Sequence, residues 1–300
     1  METKIKIVVD AMGGDYAPEV PVQGAVEALQ ENTNISIVLV GRTDAIKEQL
    51  AKYTYDKERI EIVHAEEVIG FDEPPVMAVR KKKDSSIVVG MKLVKKGEAD
   101  AFVSAGSTGA ILVGGQMIVG RIKGIERAPL APLIPTAKGP ALLIDCGANV
   151  DARASHLVQF AQMGSIYMKH VVGVDNPKVA IVNIGAEEEK GNQLVKETYP
   201  LLKECKDINF TGSIEARDIP KGDADVIVCE AFVGNVILKL YEGLAGTLLS
   251  KVKQGLMSTL RSKIGALLIK PALKKTMKLR TCFKRMRLNT KPIITKMLMK

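Results

Sequence analysis

The twenty residues AFVSAGSTGAILVGGQMIVG, positions 101–120, carry no charge, and their reading decides the fold. As a membrane span they are interrupted by glycines and by Ser104, Ser107 and Thr108. As a short strand, a glycine turn and a buried apolar helix they fit an α/β protein. The same order recurs along the chain. β-rich runs stand at 5–10, 35–40, 60–64, 101–104, 141–145, 179–183, 208–211 and 226–229, with helix-forming stretches between them. Near-continuously apolar strands alternating with helices predict a mostly parallel, doubly wound sheet inside a three-layer α/β/α sandwich.

Most of these runs end in glycine and small polar residues: DAMGGD at 10–15, SAGSTGA at 104–110, DCGAN at 145–149, NIGAEEEKGN at 183–192 and CEAFVGN at 229–235. Open parallel sheets bind ligands outside the carboxyl ends of their strands, so five such loops are expected to share one edge and form a site. The segments 71–75 and 128–140, rich in proline, read as linkers or lids.

The composition, 300 residues with 46% hydrophobic and 26% charged, is that of a globular chain with a large core. Four cysteines lie far apart with no C-x-x-C pair, and the N-terminus lacks a signal peptide's apolar region, so reduced thiols and a cytoplasmic protein are expected. The net charge of +9 comes from one end: residues 251–300 hold 15 Lys and Arg and no acid, leaving the first 250 at −6. Such a block suits an anionic partner or a solvated tail. Nucleic acid is not expected, because aromatics are only 4%, Trp is absent and no recognition motif is present.

SAGSTGA follows a strand and precedes an apolar helical run. Gly106, Gly109 and the hydroxyls of Ser104, Ser107 and Thr108 therefore read either as an anion cradle or as a capped βα turn. In DAMGGD, Gly13 and Gly14 let backbone approach a ligand, with Asp10 and Asp15 beside them. Asp145, Asn149 and Asn235 each set a polar side chain near a glycine. Lys190 and Asn192 follow the acidic run 187–189 and read either as a solvated helix start or as donors to phosphate. Arg80, Lys81, Lys82 and Lys83 form a basic run, an exposed face or a contact for an acidic protein. No complete dinucleotide or P-loop motif is present, and three scattered histidines make neither a metal centre nor a triad, so no cofactor and no metal are expected.

With these loops in order, the sequence resembles the bacterial phosphate acyltransferase family, which makes acyl phosphate from acyl-(acyl carrier protein) and inorganic phosphate. The resemblance rests on VDAMGGDYAPEVPVQGAVEAL at 9–29, RKKKDSSIVVGMKLVKKGEADAFVSAGSTGA at 80–110, DCGANVDARASHLVQFAQMGSIYM at 145–168, NIGAEEEKGNQLVKETY at 183–199 and EARDIP at 215–220. It implies a homodimeric α/β/α fold of the isocitrate/isopropylmalate dehydrogenase kind, a fatty acyl thioester substrate, a role in phospholipid synthesis and peripheral attachment to the inner face of the cytoplasmic membrane. It covers one domain to about residue 278. Two departures stand out: Glu230 and Ala231 replace the family's Asp-Gly, and residues 279–300 form an atypical basic tail, expected to be frameshifted or truncated.

The residues suit that chemistry. Phosphate is already an oxyanion near neutral pH and a thiolate leaves readily, so positioning and charge stabilisation suffice. Backbone amides, Ser107, Thr108, Asn149 and Lys190 are expected to hold phosphate, and Asn235 or a loop amide to steady the tetrahedral oxyanion. The alternatives are a phosphotransacetylase-like transfer from acyl-coenzyme A and an inactive membrane-bound partner of acyl carrier protein. Plotted as one helix, residues 256–270 put Leu256, Leu260, Ile264 and Leu267 on an apolar stripe edged by Lys and Arg, which suits either an anionic lipid surface or a packed helix. Helices over about 240–275 are expected to contact the membrane.

Overall fold

The computed structural model describes residues 5–276. The chain forms one compact unit up to Ala128 and a second from Pro129. The expected mainly parallel α/β architecture is present, divided into two sheets. In the first unit β1 (Ile5–Asp10), β2 (Ile35–Gly41), β3 (Ile60–His64) and β4 (Ala101–Val103) pair in the order β3-β2-β1-β4, all parallel. Their helices are α1 (Glu19–Glu31), α2 (Thr43–Leu50), α3 (Pro75–Lys81), α4 (Ser86–Lys95) and α5 (Thr108–Gly114).

Strand periodicity builds the layers. Along β2, Val38 and Val40 enter a core with Val8, Phe102, Met91 of α4 and Ile111 of α5. Ile37 and Leu39 enter another, with Val22 and Val26 of α1 and Ile46 of α2. Alternate side chains thus serve opposite faces, which is why the strands read as continuous apolar runs. Residues 101–120 are the strand, turn and buried helix that their composition predicts, with Ala110, Ile111 and Gly114 buried.

The second unit contains β5 (Leu133–Thr136), β6 (Gly139–Ile144), β7 (Lys178–Val182), β8 (Asn209–Ile214) and β9 (Val226–Val228), ordered β5-β6-β9-β7-β8. Only β5 runs antiparallel. It lies inside the run 128–140 read as a linker or lid. Pro135, which has no N–H, is tolerated because β5 is an edge strand. The unit's helices are α6 (Ala154–Tyr167), α7 (Gln193–Glu204), α8 (Ala231–Leu256) and α9 (Leu260–Thr276).

Helix α8 buries Ala231, Gly234, Ile237 and Leu238, and Tyr241 packs half-buried against the same core. Val236, Leu240, Leu244, Leu248 and Val252, four apart, form an exposed apolar ridge. Among the described residues α8 is long and apolar enough to cross a membrane, by length and composition alone. The stripe expected along a single helix 256–270 is split. Leu256 ends α8, and α9 starts at Leu260 because the Thr259 hydroxyl accepts the Ser262 N–H at 3.1 Å, a capping interaction that favours a new helix. Leu260, Ile264 and Leu267 on α9 are exposed. The basic tail at 279–300 lies outside the described residues.

Phe102 is 1% exposed, and its ring fills the space beside Gly90, where a Cβ would stand 2.5 Å from ring carbon Cε2. Phe102→Ala is therefore expected to lower stability by about 3–5 kcal/mol through lost burial and a residual cavity. Urea denaturation measures this, and a loss below about 1 kcal/mol would contradict this packing.

Candidate active site

The five glycine loops do not share a single sheet edge. DAMGGD and SAGSTGA follow β1 and β4, neighbours in the first sheet; DCGAN, CEAFVGN and NIGAEEEKGN follow β6, β9 and β7, consecutive in the second. The expectation of one sheet failed because an alternation of strands and helices does not reveal where one sheet stops and another starts.

In the first unit, Val9 pairs with Val103, so Asp10 and Ser104 leave the sheet side by side. Ser104 Oγ donates to Asp10 Oδ2 at 2.6 Å and accepts the Gly106 N–H at 2.9 Å; the Met12 N–H donates to Asp10 Oδ1 at 3.0 Å. Gly13 crosses this group so closely that a Cβ would stand 2.7 Å from Gly106 N and 2.8 Å from Ser104 Oγ, which only glycine permits. Gly14 lies against Ala105, and Asp15 is exposed beside it. Ser107 caps α5, its Oγ accepting the Ala110 N–H at 3.4 Å. Thr108 and Gly109 open the helix, where the first amides have no intrahelical acceptor.

Asp10 is 1% exposed and lies under the loops that Ser104 and Gly106 begin. Burial pushes its carboxyl upward from the ordinary value, and hydrogen bonds from Ser104, Ser86, Met12 and Gly13 pull it partly back.

In the second unit, Asp145 is fully buried and Asn149 nearly so. The Asp145 oxygens accept hydrogen bonds from Leu130, Ala148 and Asn149, while burial raises its carboxyl. Asn235 is exposed on the first turn of α8, its Oδ1 3.8 Å from the place of a Cβ on Gly147. Glu230, longer than the family's aspartate, caps α8 by accepting the Phe232 and Val233 N–H groups at 2.7 and 2.9 Å. Ala231 beside it is buried. Cys146 and Cys229 are buried, and desolvation pushes both thiols well up, so neither is a thiolate nucleophile near neutral pH.

Lys190 is exposed and paired with Glu187 at 2.9 Å, which raises its ammonium and keeps it charged. Asn192 caps α7, accepting the Val195 N–H at 2.9 Å, the helix-start reading of that residue. Reading the loops one residue at a time missed Asn183. It donates from Nδ2 to Lys190 O and Ser213 Oγ, both at 3.1 Å, and so ties the Lys190 loop to β8. Its position at a strand end, just before a glycine loop, was the available signal. The basic run divides: Arg80, Lys81 and Lys83 are exposed, whereas Lys82 is half-buried and donates at 2.7 Å to both Glu73 and Val68 O.

Parallel sheets with glycine turns and polar side chains at their carboxyl edges define an α/β protein, and its fold is similar to that of phosphotransacetylases. A phosphotransacetylase from Streptococcus pyogenes superposes with a TM-score of 0.61 at 20% identity, covering 81% of this chain and 82% of that one. The EutD phosphotransacetylase from Staphylococcus aureus gives 0.59 at 21%, covering 82% and 83%. The family model described as "Fatty acid synthesis protein" matches residues 5–286, and the chain belongs to that family. Proteins named phosphate acyltransferase from Clostridium novyi (strain NT) and Alkaliphilus oremlandii (strain OhILAs) are 52% and 55% identical over 274 residues. Each alignment covers 91% of this chain, and 82% and 81% of those proteins respectively.

The raised Asp10 carboxyl has a sign that can be measured. Between the unfolded value near 3.8 and the higher folded one, the native state holds more protons than the unfolded chain, so this group's contribution to stability falls as pH rises through that window. The stability of the wild type minus that of D10N, from urea denaturation at successive pH values from about 4 upward, is expected to decline and then level off. A difference that rises with pH would reverse the assignment.

Proposed function

We propose that this chain is a phosphate acyltransferase that moves a fatty acyl group from acyl-(acyl carrier protein) to inorganic phosphate, supplying acyl phosphate for phospholipid synthesis. The observation that carries this reading is the match, along 91% of the chain, with relatives of that name. The chemistry on the page agrees with it. Phosphate needs no activating base, and the two buried thiols are unsuited to an acyl-enzyme, so direct attack of a phosphate oxygen on the thioester carbonyl is the simplest route. Attack forms the new C–O bond and the tetrahedral intermediate; its collapse restores the carbonyl, breaks the C–S bond and expels the thiolate.

Each unit offers donors of its own. In the first, the amides of Ser107, Thr108 and Gly109 and the Thr108 hydroxyl suit an anion, over the floor built by Asp10, Ser104 and Gly106. In the second, the loops carrying Asn149, Asn235 and Lys190 follow consecutive strands. The exposed Glu187 partner is weakly held, so the Lys190 ammonium can exchange it for phosphate, while Asn235 donates to the developing oxyanion. Arg80, Lys81 and Lys83 suit the acidic carrier protein; Lys82 is excluded by its contacts with Glu73 and Val68.

The bare apolar ridge of α8 and stripe of α9 support a homodimer attached to the inner face of the cytoplasmic membrane, with α9 lying on anionic lipid. Cosedimentation with anionic liposomes tests this: changing Leu260 and Leu267 to Glu is expected to abolish binding, and undiminished binding would refute it.

The activity is tested by phosphate-dependent consumption of acyl-(acyl carrier protein) and of acyl-coenzyme A. Lys190→Ala is expected to lower acyl phosphate formation by roughly 100-fold, the scale of one lost transition-state donor. Unchanged turnover would remove Lys190 from the mechanism.

A further inference from the structure

Asp145 stands immediately after β6 and is 0% exposed. Its Oδ1 accepts the Leu130 N–H at 2.8 Å and the Ala148 N–H at 3.1 Å; its Oδ2 accepts both the main-chain N–H and the side-chain Nδ2–H of Asn149, each at 2.8 Å. Four donors on two oxygens leave this carboxylate no part in holding a substrate. They do fix which end of the Asn149 carboxamide points inward, because only its NH2 group can donate to Oδ2.

The main chain of the same residue meets α8. A Cβ on Gly234 would fall on the Asp145 carbonyl oxygen and within 2.9 Å of Cys229 Sγ, so the first turn of α8 rests directly on that carbonyl. Asn235 is the next residue along. One residue therefore sets both amide side chains, one through its carboxylate and the other through its backbone.

We infer that Asp145 is the positioning residue of the second unit's site, orienting Asn149 through its carboxylate and seating the turn that carries Asn235. This rests on the acyl transfer reading above and revises the role of Asp145 from substrate contact to support. D145N is the sharpest probe, since it keeps the shape but puts an NH2 group where two donors converge.

The test compares kcat and KM for phosphate in the wild type, D145N, N149A and the double variant, with thermal unfolding of each. Each single change is expected to lower kcat/KM on the order of 10- to 100-fold. The double variant is expected to be no worse than the weaker single one, because Asp145 acts through Asn149. Additive losses would overturn the inference, as a purely structural role predicts.

A second readout does not depend on turnover. The side-chain amide protons of Asn149, followed by NMR, are expected to exchange slowly with solvent in the wild type and faster in D145N; rapid exchange in the wild type overturns the inference. Should D145N fail to fold, N149A and the wild-type amide exchange decide together: slow exchange of the Asn149 amide with loss of turnover in N149A at a near wild-type melting temperature supports it, and rapid exchange or full turnover overturns it. A wild type with no phosphate-dependent thioester consumption would count against the acyl transfer reading, while the amide readout would still judge Asp145.

Discussion

A carboxylate can be taken out of water only where donors meet its oxygens, and this constraint shapes both sheet edges. Asp10 and Asp145 each end a strand run inside the protein, and each gathers the loop that follows it. Asp10 binds the turn of the neighbouring strand through Ser104; Asp145 binds its own turn and the Leu130 backbone. Loops that would otherwise wander are thereby held against the strands. The glycines beside them are explained by closeness, since Gly13 and Gly234 sit where any side chain would collide with those groups.

The division of labour follows from burial. Residues that grip the loops, Asp10, Ser104, Asp145 and Asn183, are buried, whereas Lys190, Asn235 and Asp15 are exposed. A buried polar group that is fully hydrogen-bonded gives rigidity, and an exposed one stays free to exchange partners with solvent or substrate. Glu230 belongs with the supports. Its extra methylene still lets both oxygens reach the first amides of α8, so the carboxylate serves the helix start.

Much of this fold was legible because burial on two faces leaves a plain mark. The runs at 5–10 and 60–64 coincide with β1 and β3, and the others differ from their strands by a few residues at the ends. Strand β5 was hidden by Pro135, which argues against a central strand and says nothing against an edge. The separation into two sheets was not legible, since it depends on which strands pair across long distances in the chain. At the site, residue types were readable and partners were not. RKKK reads as four equivalent cations, yet Lys82 alone faces Glu73. Lys190 and Asn192 look alike as polar residues beside Gly191, but one pairs with Glu187 and the other caps α7.

Helix α8 packs on the second unit's core through its first three turns, from Ala231 to the half-buried Tyr241. Beyond Tyr241 the helix meets α9 but no core, and a mostly exposed stretch of about fifteen residues is marginal in water, where nucleation is unfavourable and propensity contributes little. Covering its exposed leucines, as the membrane attachment proposed above does, adds to the order of this stretch. On that proposal, folding of this arm and its association with the apolar surface become a single event, and washing the surface away unravels the arm while leaving both sheets intact.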